Sequence, residues 1–169
     1  MRGCVRVEYI VRELKECEYG MLNDFLYEAI YVPEGAKPPS RDIIARPELQ
    51  VYVEAFGSRM DDIAFAAQAD GRLVGAVWVR EMNDYGHIED GVPSFAISVY
   101  KEYRGMGIGT AMMQAMLDEL RSRGYEKASL AVQKANYAVR MYEKAGFVIV
   151  GENEEEYLMM CRLNSAAAD

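Results

Sequence analysis

Residues 5–11 alternate loosely between apolar and polar side chains, the period of a strand. Met21, Leu22, Phe25, Leu26, Ala29 and Ile30 then recur at the spacing of one helical face, and Pro33-Glu-Gly35 with Pro38-Pro39 ends that segment. Ser40 is placed to cap a short turn. Pro47 suits the first position of a second helix, whose stripe is Leu49, Tyr52, Val53 and Phe56 and whose end is Gly57. Two apolar runs, 63–69 and 73–79, flank Asp70-Gly71, the signature of a tight hairpin. A short strand over 95–99 leads into a glycine-rich turn and a helix whose inner face carries Ile108, Met112, Met113, Met116, Leu117 and Leu120, with Gly124 as its stop. Residues 128–132 read as a strand. Residues 136–145 read as a helix facing inward with Ala138, Met141, Tyr142 and Ala145, stopped by Gly146, and 147–150 and 157–163 as closing strands.

The order β-α-α-β-β-β-α-β-α-β-β mixes hairpins with crossover helices. It predicts an α/β (mixed α+β) fold, a mixed sheet covered by helices on both faces. A chain of 169 residues suits one domain, here 1–164, with 165–169 as a frayed tail. The 51% apolar and 27% charged content is that of a soluble globular protein. No run approaches the roughly 18 apolar residues of a membrane span, and the N-terminus lacks the charge separation of a signal peptide, so a cytoplasmic protein without membrane contact is expected. A net charge of -8 disfavours nucleic acid as a partner and suits a cationic one, although it also serves solubility. Cys4, Cys17 and Cys161 are too few and too scattered for a zinc site or a disulfide framework, so no metal is expected.

Candidate chemistry begins at the glycines of positions 105, 107 and 109. Alternating glycines ahead of a helix allow positive φ and close ligand approach, and the helix start presents unpaired N–H groups and a positive dipole end, which suits phosphate. The plainer alternative is a tight strand-to-helix connection. A dinucleotide fingerprint fits poorly, because five residues separate Val99 from Gly105 and the spacing is Gly-x-Gly-x-Gly; a P-loop would need Gly-Lys-[Ser/Thr].

Arg104, Gly107 and Gly109 resemble the central motif of the GNAT superfamily of acyl-CoA-dependent N-acyltransferases, Arg/Gln-x-x-Gly-x-Gly/Ala. The stretch Asn136-Tyr-Ala-Val-Arg-Met-Tyr142-Glu-Lys-Ala-Gly146-Phe147 is similar to that family's second signature, so the likeness covers residues 95–147. The resemblance implies a mostly antiparallel sheet of about seven strands and an acetyl-CoA-dependent N-acetyltransferase acting on a primary amine of a small molecule or peptide. It implies that Arg104, Gly105, Met106, Gly107, Ile108, Gly109 and Thr110 hold the CoA pyrophosphate. Ile97, Ser98 and Val99 would receive the pantetheine arm and offer an N–H to the oxyanion, with Asn136 and Ala138 touching the cofactor. Tyr142 would protonate the departing thiolate. Homodimers are common among similar proteins. Beside these readings, Tyr142 also fits a core tyrosine, and Asn136 a helix cap.

An amine nucleophile must be neutral, and a lysine-like amine with pKa near 10.4 costs about 4.6 kcal/mol to deprotonate at pH 7. His87, Glu89 and Asp90 precede the 95–99 strand and are either a base or a solvated loop. Many relatives carry Pro-Glu where this chain has Pro93-Ser94, so the catalytic base is assigned to Glu89. Tyr31, Val32 and Pro33 end the first helix in the region that lines the acceptor pocket in the family, and Trp78 and Tyr85 come from the strand opposite; these aromatics suit a cationic or apolar acceptor or the core, and Trp78, inside a strand, reads as core. The missing carboxylate at Ser94 keeps a second reading open, an acyl-CoA-binding module without transferase activity.

Overall fold

The computed structural model describes residues 6–82 and 86–164. Seven strands form one sheet in the order β1-β2-β3-β4-β5-β7-β6. They are β1 (Tyr9–Glu13), β2 (Ile63–Ala69), β3 (Arg72–Arg80), β4 (Ser94–Val99), β5 (Lys127–Gln133), β6 (Val148–Glu152) and β7 (Glu156–Arg162). The β4–β5 pair is parallel and the others are antiparallel. The helices are α1 (Leu22–Ala29), α2 (Pro47–Gln50), α3 (Ile108–Ser122) and α4 (Ala138–Ala145). The mixed, mostly antiparallel sheet expected from the sequence is therefore present. The first strand begins at Tyr9; Val5, where the alternation starts, lies outside the described residues.

Each face of the sheet owns a core. Ile108, Met112, Met113, Met116, Leu117 and Leu120 of α3, with Tyr142 of α4, pack on Val77, Val79, Phe95, Val99, Leu130, Val132, Met159 and Cys161. Leu22, Phe25 and Leu26 of α1 pack on Ala64, Ala66, Ala76 and Trp78 on the opposite face. Strand alternation divides these sets, so β2 and β3, buried on both sides, are almost wholly apolar. The hairpin between them turns at Asp70 (φ 52) and Gly71 (φ 76), the paired positive angles of a type I′ turn. Trp78 is a core residue whose indole Nε1–H donates to the Tyr52 carbonyl at 3.0 Å. Ser40 caps its turn, its hydroxyl accepting from the Asp42 N–H.

The second helix is shorter than its stripe suggests. Leu49, Tyr52, Val53 and Phe56 do pack inward, but regular helix stops at Gln50. The reason is Arg80, fully buried at the end of β3: its Nη1 donates to the carbonyls of Val51 and Glu54, acceptors that a continuing helix would have needed. Ala55 then takes a positive φ of 48. The guanidinium also forms a two-pronged bond to Asp62, at 2.8 and 2.7 Å, and lies over the Phe56 ring. Both charged groups are fully buried, so each depends on the other to offset its desolvation.

Burial pushes the Asp62 carboxyl up, but hydrogen bonds from Arg80 and from the N–H groups of Gly57 and Arg59 outweigh it and hold the group below its usual range. Glu18 is driven down to about 2 by its bond from Arg12. Asp62→Asn is expected to cost about 3–5 kcal/mol in urea unfolding at pH 7, because Arg80 stays buried without its counter-charge; a loss under about 1 kcal/mol would contradict this. Both carboxyls sit lower in the folded than in the unfolded state, so their contribution is complete above about pH 5 and disappears as pH falls through the folded values. Stability of the Glu18→Gln, Asp62→Asn double variant should therefore fall less steeply between pH 5 and pH 3 than that of the unmodified chain.

Candidate active site

Parallel strands β4 and β5 are joined at one end only. Among the described residues their register consists of Ser94 with Ser129, where the Ser129 N–H donates to Pro93 O at 3.0 Å. Beyond that point β4 stays paired with β3 through Val99, and β5 with β7 through Gln133, so the sheet opens between them toward their C-terminal ends. The Tyr100 N–H donates to Val74 O, which fixes which groups of β4 face β3. By alternation, the N–H and C=O groups of Ile97 and Val99 point into the opening. Ser98 points to the α1 face instead, its hydroxyl donating to Phe25 O at 2.6 Å.

The glycine turn stands at the mouth of this opening. Gly105 and Gly107 have φ of 76 and 82, and a Cβ on either would meet nothing within 4 Å, so backbone conformation demands glycine and the space outside stays clear. Gly107 caps α3 with no side-chain hydrogen bond, and the first turn holds no acidic residue. The N–H groups that open this 15-residue helix, over Gly107, Ile108, Gly109 and Thr110, therefore face outward with the positive dipole end. This chemistry fits a pyrophosphate. Gly109 has a different role: it lies within the helix, where a Cβ would come 3.3 Å from Sδ of Met141, so it allows α3 and α4 to approach. Arg104 ties the turn to the sheet, its Nε donating to Val99 O at 2.9 Å while Nη2 reaches Glu28 at 3.5 Å. Met106 is exposed at the same mouth.

On the α3 face, Tyr142 is 8% exposed and stacks edge-on against Phe147, ring centroids 6.0 Å apart; Phe147 in turn meets Phe95 of β4 at 5.7 Å. Burial pushes the Tyr142 hydroxyl well above the usual tyrosine range, so it keeps its proton. The amphipathic pattern of α4 places this tyrosine inward, and Gly146 in a left-handed conformation ends the helix behind it. Asn136 Oδ1 accepts from the Ala138 N–H at 2.9 Å, which ties the turn ahead of α4 to the first residue of that helix.

The structure does not bring Glu89 to this opening. Glu89 lies ahead of β4, at the closed end, where it is exposed and bound to Lys127 at 2.6 Å; that bond lowers its pKa and makes it a weaker base. His87 and Asp90 lie beside it, 3.7 Å apart. Ser94 is buried 3.5 Å from the Ser129 hydroxyl, which donates to Gly86 O. Tyr31 does reach the open end, its hydroxyl 3.4 Å from Ala135 O. Tyr85 lies outside the described residues. Two groups at the open end escaped the sequence reading, Gln133 and Glu156; alternation along β5 and β7 would have marked both as turned away from the α3 core. Among the described residues no three His, Cys, Asp or Glu side chains cluster as a metal site would, and no helix is long and apolar enough to cross a membrane.

Known proteins share this fold. The PaiA N-acetyltransferase of Thermoplasma acidophilum, solved in complex with coenzyme A, shares the fold with a TM-score of 0.68 at 17% identity, over 92% of this chain and 99% of that one. The ribosomal-protein-S18-alanine N-acetyltransferase of Escherichia coli gives 0.66 at 17% identity, over 96% and 98%. In sequence, the chain is 30% identical over 105 residues to N-alpha-acetyltransferase 30 of Schizosaccharomyces pombe, covering 62% of this chain and 69% of that protein. It is 40% identical over 86 residues to a mycothiol acetyltransferase of Thermobispora bispora, covering 49% of this chain but only 29% of the relative. Residues 26–147 match the acetyltransferase (GNAT) family profile, and with the half-open sheet and its glycine turn in place the chain belongs to that family.

Proposed function

We propose that the chain transfers an acetyl group from acetyl-CoA to a primary amine of a small molecule or peptide. The observation that carries this reading is the opening between β4 and β5, whose inward-facing N–H groups at Ile97 and Val99 lie next to the uncapped start of α3. Similar proteins include an N-alpha-acetyltransferase and a mycothiol acetyltransferase, which supports an amine acceptor and leaves its class open.

In this reading the turn from Arg104 to Thr110 binds the pyrophosphate of the co-substrate through main-chain N–H groups. The pantetheine arm enters the opening as a strand would, pairing with Ile97 and Val99. One of those N–H groups stabilises the oxyanion formed when the amine attacks the thioester carbonyl, a donor held in place before charge develops. Tyr142 then gives its proton to the sulfur. In water, phenol at pKa about 10 transferring to a thiolate at about 8.5 is uphill by roughly 2 kcal/mol. Burial raises the Tyr142 side of that balance further, so the transfer requires a thiolate desolvated by the same apolar wall of Phe95 and Phe147. Asn136 contributes by fixing the start of α4, and Ala138 by its place on the first turn. Holding acyl-CoA without transfer is the second reading, favoured by the buried Ser94–Ser129 pair where a carboxylate base would stand.

A CoA-release assay with a thiol reagent, run over polyamines, aminoglycosides, amino acids and peptides with free N-termini, should give turnover with at least one amine. CoA-dependent thermal stabilisation without turnover on the whole panel would select the second reading. Tyr142→Phe should lower kcat about a hundredfold with unchanged CoA affinity. Because its pKa is raised, the unmodified enzyme should show no loss of kcat from tyrosine ionisation up to pH 10; a falling limb near pH 8 would remove Tyr142 from the role. Gly107→Ala and Gly124→Ala impose a similar positive-φ penalty, at φ 82 and 83. Calorimetry should show CoA affinity reduced at least about tenfold, or 1.4 kcal/mol, in the first alone.

A further inference from the structure

The acceptor ammonium must lose a proton, and neither Ser94 nor Glu89 is placed to take it. Strand alternation shows what is. Leu130 and Val132 of β5, with Met159 and Cys161 of β7, lie in the α3 core, so Ala131 and Gln133, with Glu156, Leu158 and Met160, turn to the other face. On that same face of β4 stand Ala96 and the hydroxyl of Ser98. Counting four residues along each strand from the Ser94–Ser129 pair brings Ser98 level with Gln133, and Gln133 is the register partner of Glu156. The Gln133 side chain donates to Glu156 Oε1 at 3.5 Å, and Glu156 is half-buried.

We propose that Glu156 is the general base of the transfer, taking the proton of the acceptor amine at the open end of the β4–β5 gap. This rests on the transferase reading above. At this end β7 is separated from β4 by β5 and by the parted β4–β5 seam, so the carboxylate faces the thioester across a gap that an amine, or an amine and water, can enter. Glu156 and Tyr142 then act from opposite faces of the sheet through the same opening. The balance closes: Glu156 accepts the ammonium proton, the neutral nitrogen forms its bond to the acetyl carbon, the C–S bond breaks as the sulfur takes the Tyr142 proton, and the second proton that the nitrogen sheds on becoming an amide is taken up by the Tyr142 phenolate. On the α1 side Asp24 is ion-paired with Arg41 and Glu28 with Arg104. On the elements beside Glu156, Lys134 is ion-paired with Glu152 and lies over the Tyr157 ring, Glu154 and Glu155 of the β6–β7 turn are exposed, and the Tyr31 phenol stands near Ala135. His87 and the Glu89–Lys127 pair lie at the closed end.

The test uses the full chain with acetyl-CoA and whichever of spermidine, kanamycin, alanine or an alanine-ended peptide the unmodified enzyme turns over fastest. Glu156→Gln preserves the contact with Gln133 and should keep thermal stability and CoA affinity, while kcat at pH 7 falls about a hundredfold or more. Its kcat should climb about tenfold per pH unit toward the amine pKa near 10.4, where the unmodified enzyme has levelled off. Glu156→Asp should recover part of the loss. A kcat within about threefold of the unmodified enzyme, with only the amine KM raised, would overturn the assignment by making Glu156 a binding group. A fall in kcat with an unchanged pH profile would overturn it too. If the unmodified enzyme acetylates none of the four amines, the transferase reading fails first and takes this inference with it.

Discussion

Everything at the site follows from two parallel strands that are hydrogen-bonded at one end and part at the other. A parallel pair in a sheet interior normally satisfies every peptide group along its length, because a buried N–H without a partner is costly. Here β4 is held by β3 on one edge and β5 by β7 on its far edge, so the two halves stay rigid while the seam between them opens. The opening leaves the backbone groups of Ile97 and Val99 facing the gap. Arg104 shows the same demand met within the chain, since its guanidinium satisfies the Val99 carbonyl at the lip of the gap.

The two faces of the sheet divide the work. On one, α3 and α4 build a methionine-rich core that carries the glycine turn and holds Tyr142 dry against Phe147. On the other, α1 covers only the β1–β4 half, and the connection after it crosses toward β5 through Tyr31. Ala131, Gln133, Glu156, Leu158 and Met160, all partly buried, lie on this same face across the seam. Arg80 stabilises the covered half from beneath, drawing the carbonyls of Val51 and Glu54 into one buried charge network with Asp62.

Much of this is legible in the sequence, for local reasons. Asp70-Gly71 specifies its turn by φ preference, the α3 stripe specifies a helix by period, and Arg104, Gly107 and Gly109 with the 136–147 segment mark the family. The losses have one cause, that long-range contacts leave no local trace. The stripe from Leu49 to Phe56 reads as a helix because nothing nearby reveals that Arg80, more than twenty residues on, competes for its carbonyls. Gly109 reads as a cradle glycine only, and nothing local reveals that its missing side chain also makes room for Met141. Glu89 suggests a base from its place ahead of the strand, yet that place is the closed end, next to Lys127.

The central claim is that the seam between β4 and β5 is a binding groove with its anion end at the start of α3. Backbone amide NMR during titration with CoA measures this directly. The account predicts saturable shifts concentrated at Ile97 to Val99 and at Gly105 to Thr110, with protection of the Ile97 and Val99 amides from exchange. Shifts that leave these two segments unmoved, or that centre on the closed end around Glu89 and Lys127, would contradict it.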